Sequence, residues 1–274
     1  MSKPAILLVD NGSVRAQATL QLRHLAKDLS DKTGHLIHPV SLKHANRIAA
    51  AKLHNISAQI FHDFMMQQLK QGQREFILLP LFFGNSKALT SYVPDEVALL
   101  KKQFGDFKLD MSNVIYPLPI GEPLLTLIIH EHIHKTAEKH HLPLKNIVLV
   151  DHGSPVPRVT EVRKHLVNTV QRELAAECQL EQAVMERREG KEYDFNGPLL
   201  QDWLTQKAES GETSAVVILL FFLAGRHAGE DGDIIAICDS VMKQYPGFKI
   251  AISPLITEHP SFLAILKKRL EEKI

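Results

Sequence analysis

The fold is decided by residues 147–154, which read Ile-Val-Leu-Val-Asp-His-Gly-Ser. Four apolar residues, three of them β-branched, predict a buried strand of a parallel sheet. A polar turn with a glycine follows, and a helical pattern then runs from Arg158 to Leu174. In α/β proteins, ligands bind where a strand ends in such a turn and a helix begins. We therefore expect His152, a residue that can bind a metal or move a proton near neutral pH, to lie at a functional site.

The same pattern occurs earlier in the chain. Residues 6–13 read Ile-Leu-Leu-Val-Asp-Asn-Gly-Ser, and Gly12 then lies 141 positions before Gly153. This alignment places Asn11 opposite His152. The sequence therefore predicts a tandem duplication of two modules, residues 1–141 without the metal-site histidines and residues 142–274 with them.

Composition excludes several classes of function. The chain has 274 residues, 45% of them hydrophobic, and a net charge of +1, which argues against a general nucleic-acid binder. No apolar run approaches the roughly 18 residues that span a bilayer, and the start shows no signal peptide. Cys178 and Cys238 show no CxxC spacing and are interpreted as buried thiols in a reducing compartment. We therefore expect a cytoplasmic protein with no membrane partner and no nucleic-acid partner.

Each module is predicted to contain four β-α units, which gives an α/β fold with two parallel sheets and helices on both faces of each. The predicted strands are residues 5–9, 36–42, 76–83 and 113–116 in the first module, and 147–151, 179–186, 215–222 and 248–253 in the second. In the first module, leucines spaced by about a turn predict a first helix (Leu20, Leu22, Leu25 and Leu29), and further helices are predicted over residues 48–71, 93–104 and from Glu122-Pro123 to about His141. In the second module the predicted helices are residues 158–177, 196–209, 233–244 and 260–272.

Three side chains of metal-binding type follow successive strands of the second module: His152, Glu186 and His227. The carboxyl ends of parallel strands lie at one edge of a sheet, so these side chains are expected to converge. Two imidazoles and a carboxylate suit a divalent first-row ion, with a position left for an exchangeable ligand. At the repeat offset of 141 their first-module counterparts are poor ligands: Asn11, Ala45 and Ser86.

Three motifs of the second module occur in one order. They are the Asp-His-Gly-Ser turn, residues 220–234 (Leu-Phe-Phe-Leu-Ala-Gly-Arg-His-Ala-Gly-Glu-Asp-Gly-Asp-Ile) and residues 254–260 (Pro-Leu-Ile-Thr-Glu-His-Pro). Together they resemble the sirohydrochlorin chelatases, the cobalt- or iron-inserting, CbiX-like branch of the class II tetrapyrrole chelatases. The first module resembles the same unit in outline.

The resemblance implies two flavodoxin-like, chelatase-like domains that face each other across a cleft. It implies that His152 and His227, with Glu186 between them in sequence, bind the metal and help to remove pyrrole N–H protons in cobalamin or siroheme biosynthesis. No cofactor is implied beyond the substrate metal, Co²⁺ or Fe²⁺, with Ni²⁺ or Zn²⁺ as substitutes in vitro. Two departures stand out: long members of this branch often carry their histidines in the first half, and residues 187–198 are longer than usual.

The implied substrate carries many carboxylates, so cationic side chains are expected beside the site. The candidates are Arg158, Arg187, Arg188 and Arg226, for which ordinary surface charge is the alternative. Since two modules supply both walls of a cleft, a monomer is favoured. A non-catalytic carrier of tetrapyrrole or metal would use the same residues and remains an alternative.

Other interpretations stay open at this point. Residues 130–134 read His-Glu-His-Ile-His, which satisfies the HExxH pattern of zinc proteases on a predicted helix. A solvated helix face, or a weak accessory metal site with His140 or His141, explains the same residues. Glu186 could pair with Arg187 or Arg188 instead of binding metal. Asp231 and Asp233 could cap the following helix.

Overall fold

The computed structural model describes residues 3–274, which form two compact units. One unit comprises the chain up to Ile120 together with Leu223–Arg226 and Leu263–Ile274. The other comprises Gly121–Phe222 and His227–Phe262. Each unit holds one sheet of four parallel strands, and the predicted α/β fold is confirmed.

The first unit is built on a sheet with the strand order β2-β1-β3-β4. Its strands are β1 (Ala5–Asp10), β2 (Ile37–Ser41), β3 (Glu75–Pro80) and β4 (Lys108–Met111). Its helices are α1 (Ala16–Thr33), α2 (Phe61–Lys70) and α3 (Val93–Phe104). Every residue of the central strand β1 is buried, as expected of a strand covered on both faces.

The second unit repeats this plan with the strand order β6-β5-β7-β8. Its strands are β5 (Asn146–Asp151), β6 (Gln179–Val184), β7 (Ser214–Leu219) and β8 (Lys249–Ile252). Its helices are α4 (Pro123–His140), α5 (Pro157–Gln171), α6 (Leu200–Glu209) and α7 (Asp233–Gln244). The order places the ends of β6, β5 and β7 side by side. Glu186 follows β6, His152 follows β5 and His227 follows β7.

The last helix of each sequence module belongs to the compact unit that holds the other module's sheet. Helix α4, which lies in the first half of the sequence, belongs to the second unit, and α8 (Phe262–Glu271) belongs to the first unit except for Phe262. Within the first unit, the buried guanidinium of Arg269 donates to the carbonyl oxygens of Val114 and Ile115. A module boundary at residues 141–142 remains a prediction about the duplication.

Two predicted elements of the first module are wrong. The long helix over residues 48–71 is only α2, because His54 and Asn55 adopt left-handed backbone angles that end the helical path. Residues 45–53 contain two short 3₁₀ turns, Ala45–Arg47 and Ala50–Leu53, and Arg23 donates to the carbonyl oxygens of Leu53 and Ile56 at the end of the second turn. The fourth strand is Lys108–Met111, not residues 113–116. It lies at the edge of its sheet and is only partly buried, so it lacks the apolar run that marks the other strands.

None of the helices in the part of the chain that the structure describes is both long and apolar enough to cross a membrane.

Candidate functional site

His152 lies directly after β5, in a turn that only glycine can complete. Gly153 has φ +92°, and a Cβ atom there would lie 2.0 Å from the carbonyl oxygen of Glu186. The Glu186 amide donates to the His152 carbonyl oxygen at 3.2 Å, which joins the turn to the segment after β6. This close approach brings the side chains of two predicted site residues together.

A buried ion pair between Arg163 and Asp151 stabilises the start of this turn. The guanidinium of Arg163, on α5, has no exposed surface and donates to the Asp151 carboxylate, the Gln182 side chain and the Asn196 carbonyl oxygen. Burial raises the pKa of the Asp151 carboxyl, and the charge of Arg163 opposes that rise. The residue immediately before His152 is thereby held in a fixed position.

Asn196 completes this support. Its side-chain oxygen accepts from the Ser154 amide at 3.0 Å and from the Thr160 hydroxyl at 3.1 Å, and its NH₂ group donates to the Ser154 carbonyl oxygen at 3.0 Å. The residue is 1% exposed. The turn that carries His152 is therefore bonded on both sides, to Asp151 and to Asn196, which is the kind of rigidity that a catalytic side chain needs.

Four side chains form a continuous row at the carboxyl edge of the second sheet. The Nε2 atom of His152 lies 3.2 Å from Oε1 of Glu186, and the rings of His152 and His227 lie edge to face with centroids 4.6 Å apart. On the far side, Nδ1 of His227 lies 2.7 Å from Oδ2 of Asp233. The three predicted site residues are therefore brought together, and Asp233 is a fourth member.

The hydrogen bonds define which ring nitrogens remain available. A carboxylate only accepts, so Nδ1–H of His227 donates to Asp233 and its Nε2 keeps a free lone pair in the neutral ring. In His152, Nδ1–H donates to the Gly153 carbonyl oxygen at 3.1 Å, and Nε2 faces Glu186. Both partners of His152 are acceptors, so each N–H of an imidazolium would have a hydrogen-bond partner here.

Within residues 3–274, no three His, Cys, Asp or Glu side chains are arranged as a complete metal cage. The row instead offers the two histidines in contact with each other, each with its own carboxylate. His152 is about half exposed (47%) and His227 about a quarter (26%). Such an open pair suits an ion that is held briefly and passed on, and suits a permanently bound structural ion poorly.

The four arginine candidates differ in their surroundings. Arg187 forms an ion pair with Asp194 at 3.1 Å, and Arg188 lies over the Tyr193 ring. Both contacts come from the 3₁₀ helix Lys191–Asn196. Arg158 and Arg226 are exposed. Arg187 and Arg188 are thus held partly by Asp194 and Tyr193.

The structure corrects the repeat alignment at two positions. The backbone amide of Lys43 donates to the Asn11 carbonyl oxygen, as the amide of Glu186 donates to that of His152. The Lys43 carbonyl oxygen also lies close to Gly12, as the Glu186 carbonyl oxygen lies close to Gly153. The counterpart of Glu186 is therefore Lys43 and not Ala45, because the β1–β2 connection is two residues shorter than the β5–β6 connection.

The third strand pair is shifted in the opposite direction. The Ser86 amide donates to the Gly84 carbonyl oxygen, as the Gly225 amide donates to that of Leu223. These two hydrogen bonds are 139 positions apart in the sequence. Ser86 therefore corresponds to Gly225 and not to His227.

The first unit also lacks the buried ion pair. Leu22 stands at the repeat position of Arg163, and one carboxylate oxygen of the buried Asp10, the counterpart of Asp151, has no hydrogen-bond partner. Burial raises the pKa of Asp10 to about 6. Both the histidines and the support beneath them are therefore confined to the second unit.

Sequence reasoning missed Arg163, Asn196 and the role of Asp233. The proposed cap by Asp231 or Asp233 is wrong, because the N-cap of α7 is Gly232 and the Asp233 carboxylate binds His227. A signal for Arg163 existed: it is a charged residue in the apolar spacing of α5, where the repeat has leucine. Asn196 gave none, since it lies in the irregular segment between β6 and α6, and its hydrogen bonds reach residues 36 and 42 positions earlier in the chain.

Comparison with known proteins bears on the family. The sequence model of the CbiX family matches residues 146–273. Among curated proteins, none matches the chain significantly. Three solved structures share the fold over nearly the whole chain, each at 14–15% identity, which is similarity of fold alone.

The first of these is SirB from Bacillus subtilis with Fe³⁺, at TM-score 0.71 and 15% identity, covering 99% of this chain and 95% of that one. The second is the sirohydrochlorin chelatase SirB from Bacillus subtilis subspecies spizizenii in complex with cobalt, at TM-score 0.69 and 14% identity, with the same coverage. The third is CbiX, the terminal enzyme of siroheme biosynthesis in denitrifying bacteria, at TM-score 0.57 and 15% identity, covering 98% of this chain and 99% of that one. The CbiX match therefore covers 128 of the 274 residues, and this part of the chain carries the row of histidines and carboxylates.

Proposed function

We propose that the protein is a chelatase that inserts a divalent metal into sirohydrochlorin or a closely related tetrapyrrole. One observation carries the proposal: His152 and His227 lie in contact at the carboxyl edge of the second sheet, each with its own carboxylate partner. The CbiX match over residues 146–273 and the shared fold of the two SirB structures support it.

The reaction exchanges two pyrrole N–H protons for one metal ion, so the site must hold a cation and accept protons. Nε2 of His227 supplies a lone pair for the metal, because Asp233 fixes the proton on Nδ1. Once the metal leaves, the vacated imidazole nitrogen can take up a pyrrole proton.

His152 is the stronger candidate for the proton acceptor. Its two ring nitrogens face the Gly153 carbonyl oxygen and the Glu186 carboxylate, so the imidazolium formed by proton uptake has an acceptor at each N–H. Glu186 therefore acts in this proposal mainly by stabilising that cation, and it can also contribute an oxygen to the metal. The buried Arg163 and Asn196 position the turn that presents His152.

Arg158 and Arg226 are the proposed contacts to substrate carboxylates, because both are exposed and lie near His152 and His227 in sequence. Arg187 and Arg188 remain candidates through their unused donors. We further propose Co²⁺ or Fe²⁺ as the metal, a place in cobalamin or siroheme biosynthesis, a cytoplasmic monomer, and no cofactor beyond the substrate metal. Imidazole and carboxylate ligands also accept Ni²⁺ and Zn²⁺, which makes these ions suitable probes in vitro.

Multiple turnover distinguishes a chelatase from a non-catalytic carrier protein. Protein at one-twentieth of the sirohydrochlorin concentration is mixed anaerobically with Co²⁺, and the change in the visible spectrum is followed. A chelatase converts all of the tetrapyrrole faster than the protein-free control, and His152→Ala abolishes that acceleration while the surface variant His24→Ala retains it. A carrier changes the spectrum of only one equivalent of tetrapyrrole per chain and does not accelerate insertion.

A further inference from the structure

The histidine-rich segment of α4 takes no part in the proposed chelatase chemistry. His130 and His134 lie one helical turn apart on α4, with ring centroids 4.5 Å apart and an angle of 46° between the rings. His130 is half-buried and His134 is exposed. Side chains at positions i and i+4 lie on the same face of a helix, so both imidazoles can reach one ion.

The third histidine of the segment points elsewhere. His132 is buried and its ring lies 5.6 Å from that of His259. Burial, together with nearby His259 and Lys135, lowers the pKa of His132 to about 4. His132 therefore belongs to the interior of the second unit, and only His130 and His134 form a pair at the surface.

The glutamate that a zinc protease would need is unavailable. Glu131 accepts from Lys135 at 2.5 Å and lies 3.1 Å from Nε2 of His259. These hydrogen bonds lower the pKa of Glu131 to about 2, and a carboxylate with so low a pKa is a poor general base for activating water. The HExxH spacing therefore carries no hydrolytic site, and what remains is the histidine pair.

The pair has the properties of an open metal site. Neither imidazole is buried, so an ion can approach the pair from solvent. Across residues 3–274, no third His, Cys, Asp or Glu joins a cage, so water would fill the other coordination positions. Metal at such a site exchanges readily, and by the general order of affinities Ni²⁺ and Cu²⁺ bind more tightly than Co²⁺ or Fe²⁺.

We propose that His130 and His134 form a second, surface-exposed binding site for divalent first-row metal ions, separate from the row at His152 and His227. The site lies in the same unit as that row, on helix α4. It goes beyond the proposed function and does not depend on it, because it concerns binding of the metal alone.

The test uses the full chain with His152→Ala/His227→Ala, which removes the other histidine pair, and titrates Ni²⁺ by calorimetry. One Ni²⁺ per chain is expected to bind. His130→Ala and His134→Ala, each added to this background, are expected to weaken binding at least tenfold. Alanine is favourable in a helix, so both variants keep α4 folded, which circular dichroism verifies.

His24→Ala is the matched control, because His24 is an exposed helical histidine whose i+4 neighbour is Asp28. It is expected to leave Ni²⁺ affinity unchanged. Affinity that is the same in all of these variants, or no Ni²⁺ binding in the background protein, would overturn the proposal. Neither outcome bears on chelatase turnover, which is measured on the protein with intact His152 and His227.

Discussion

Replacing Arg163 by methionine is expected to destabilise the second unit by about 3–5 kcal/mol, the usual cost of removing one partner of a buried ion pair. The Arg163 side chain has no exposed surface and meets three acceptors: the Asp151 carboxylate, the Gln182 side chain and the Asn196 carbonyl oxygen. Methionine fills a similar volume but donates nothing. The Asp151 carboxylate is then left buried without its cation, and the turn that carries His152 loses its support.

The single tryptophan of the chain makes this measurable. Trp203 lies buried in α6 of the second unit, so its fluorescence reports the unfolding of that unit in urea. With a denaturant slope of about 2 kcal/mol per molar, the expected loss lowers the urea midpoint by roughly 1.5–2.5 M.

Two further variants sharpen this test. Arg172→Met removes an exposed arginine shortly after the same helix and is expected to change stability by about 0.5 kcal/mol or less. Arg163→Lys keeps the charge but not the forked donors, so it is expected to lie between the wild type and Arg163→Met. A midpoint for Arg163→Met within about 0.3 M of the wild type would refute the reasoning, since it would mean that Asp151 is stable without its partner.

Three more outcomes are expected. Burial raises the pKa of Asp10 from 3.8 to about 6, which corresponds to about 3 kcal/mol. The stability this carboxyl contributes is therefore fully present below about pH 4 and is lost as pH rises through about 6. Calorimetry should show the stability of Asp10→Asn rising relative to that of the wild type between about pH 4 and pH 6. A difference in stability that stays constant over this pH range would contradict the prediction. Asp233→Asn removes the carboxylate that orients His227 and is expected to reduce metal insertion about 10–100-fold, with an unchanged melting temperature. Wild-type insertion rates would exclude this positioning role. Gly153→Ala forces a Cβ atom against the Glu186 carbonyl oxygen at positive φ, and is expected to cost about 1–3 kcal/mol or more in urea unfolding and to abolish insertion. A fully active alanine variant would show that the turn is not as tightly closed as described.

The central strands and most helices follow from the sequence because their signals are local. Strands β1 and β5 are continuous apolar runs, and α7 begins where a glycine-rich turn ends. The edge strand β4 and the 3₁₀ turns before α2 escape prediction, because their conformations depend on sheet pairing and on left-handed residues such as His54.

The candidate site also contains residues that the sequence predicts and residues that it does not. His152, Glu186 and His227 follow from the rule that parallel strands end at one edge, which needs only strand positions. The role of Asp233 depends on a 2.7 Å hydrogen bond across a loop, and that of Arg163 on how α5 lies against the end of β5. Such contacts are set by three-dimensional packing, and residue spacing alone does not encode them.

The central claim is that the two facing histidines perform metal insertion, and the most direct test is the rate of Co²⁺ insertion into sirohydrochlorin by the His152→Ala/His227→Ala protein. The account predicts that insertion falls to the protein-free rate, while Trp203 fluorescence shows the second unit still folded. Insertion at the wild-type rate would contradict it and would place the chemistry elsewhere in the chain.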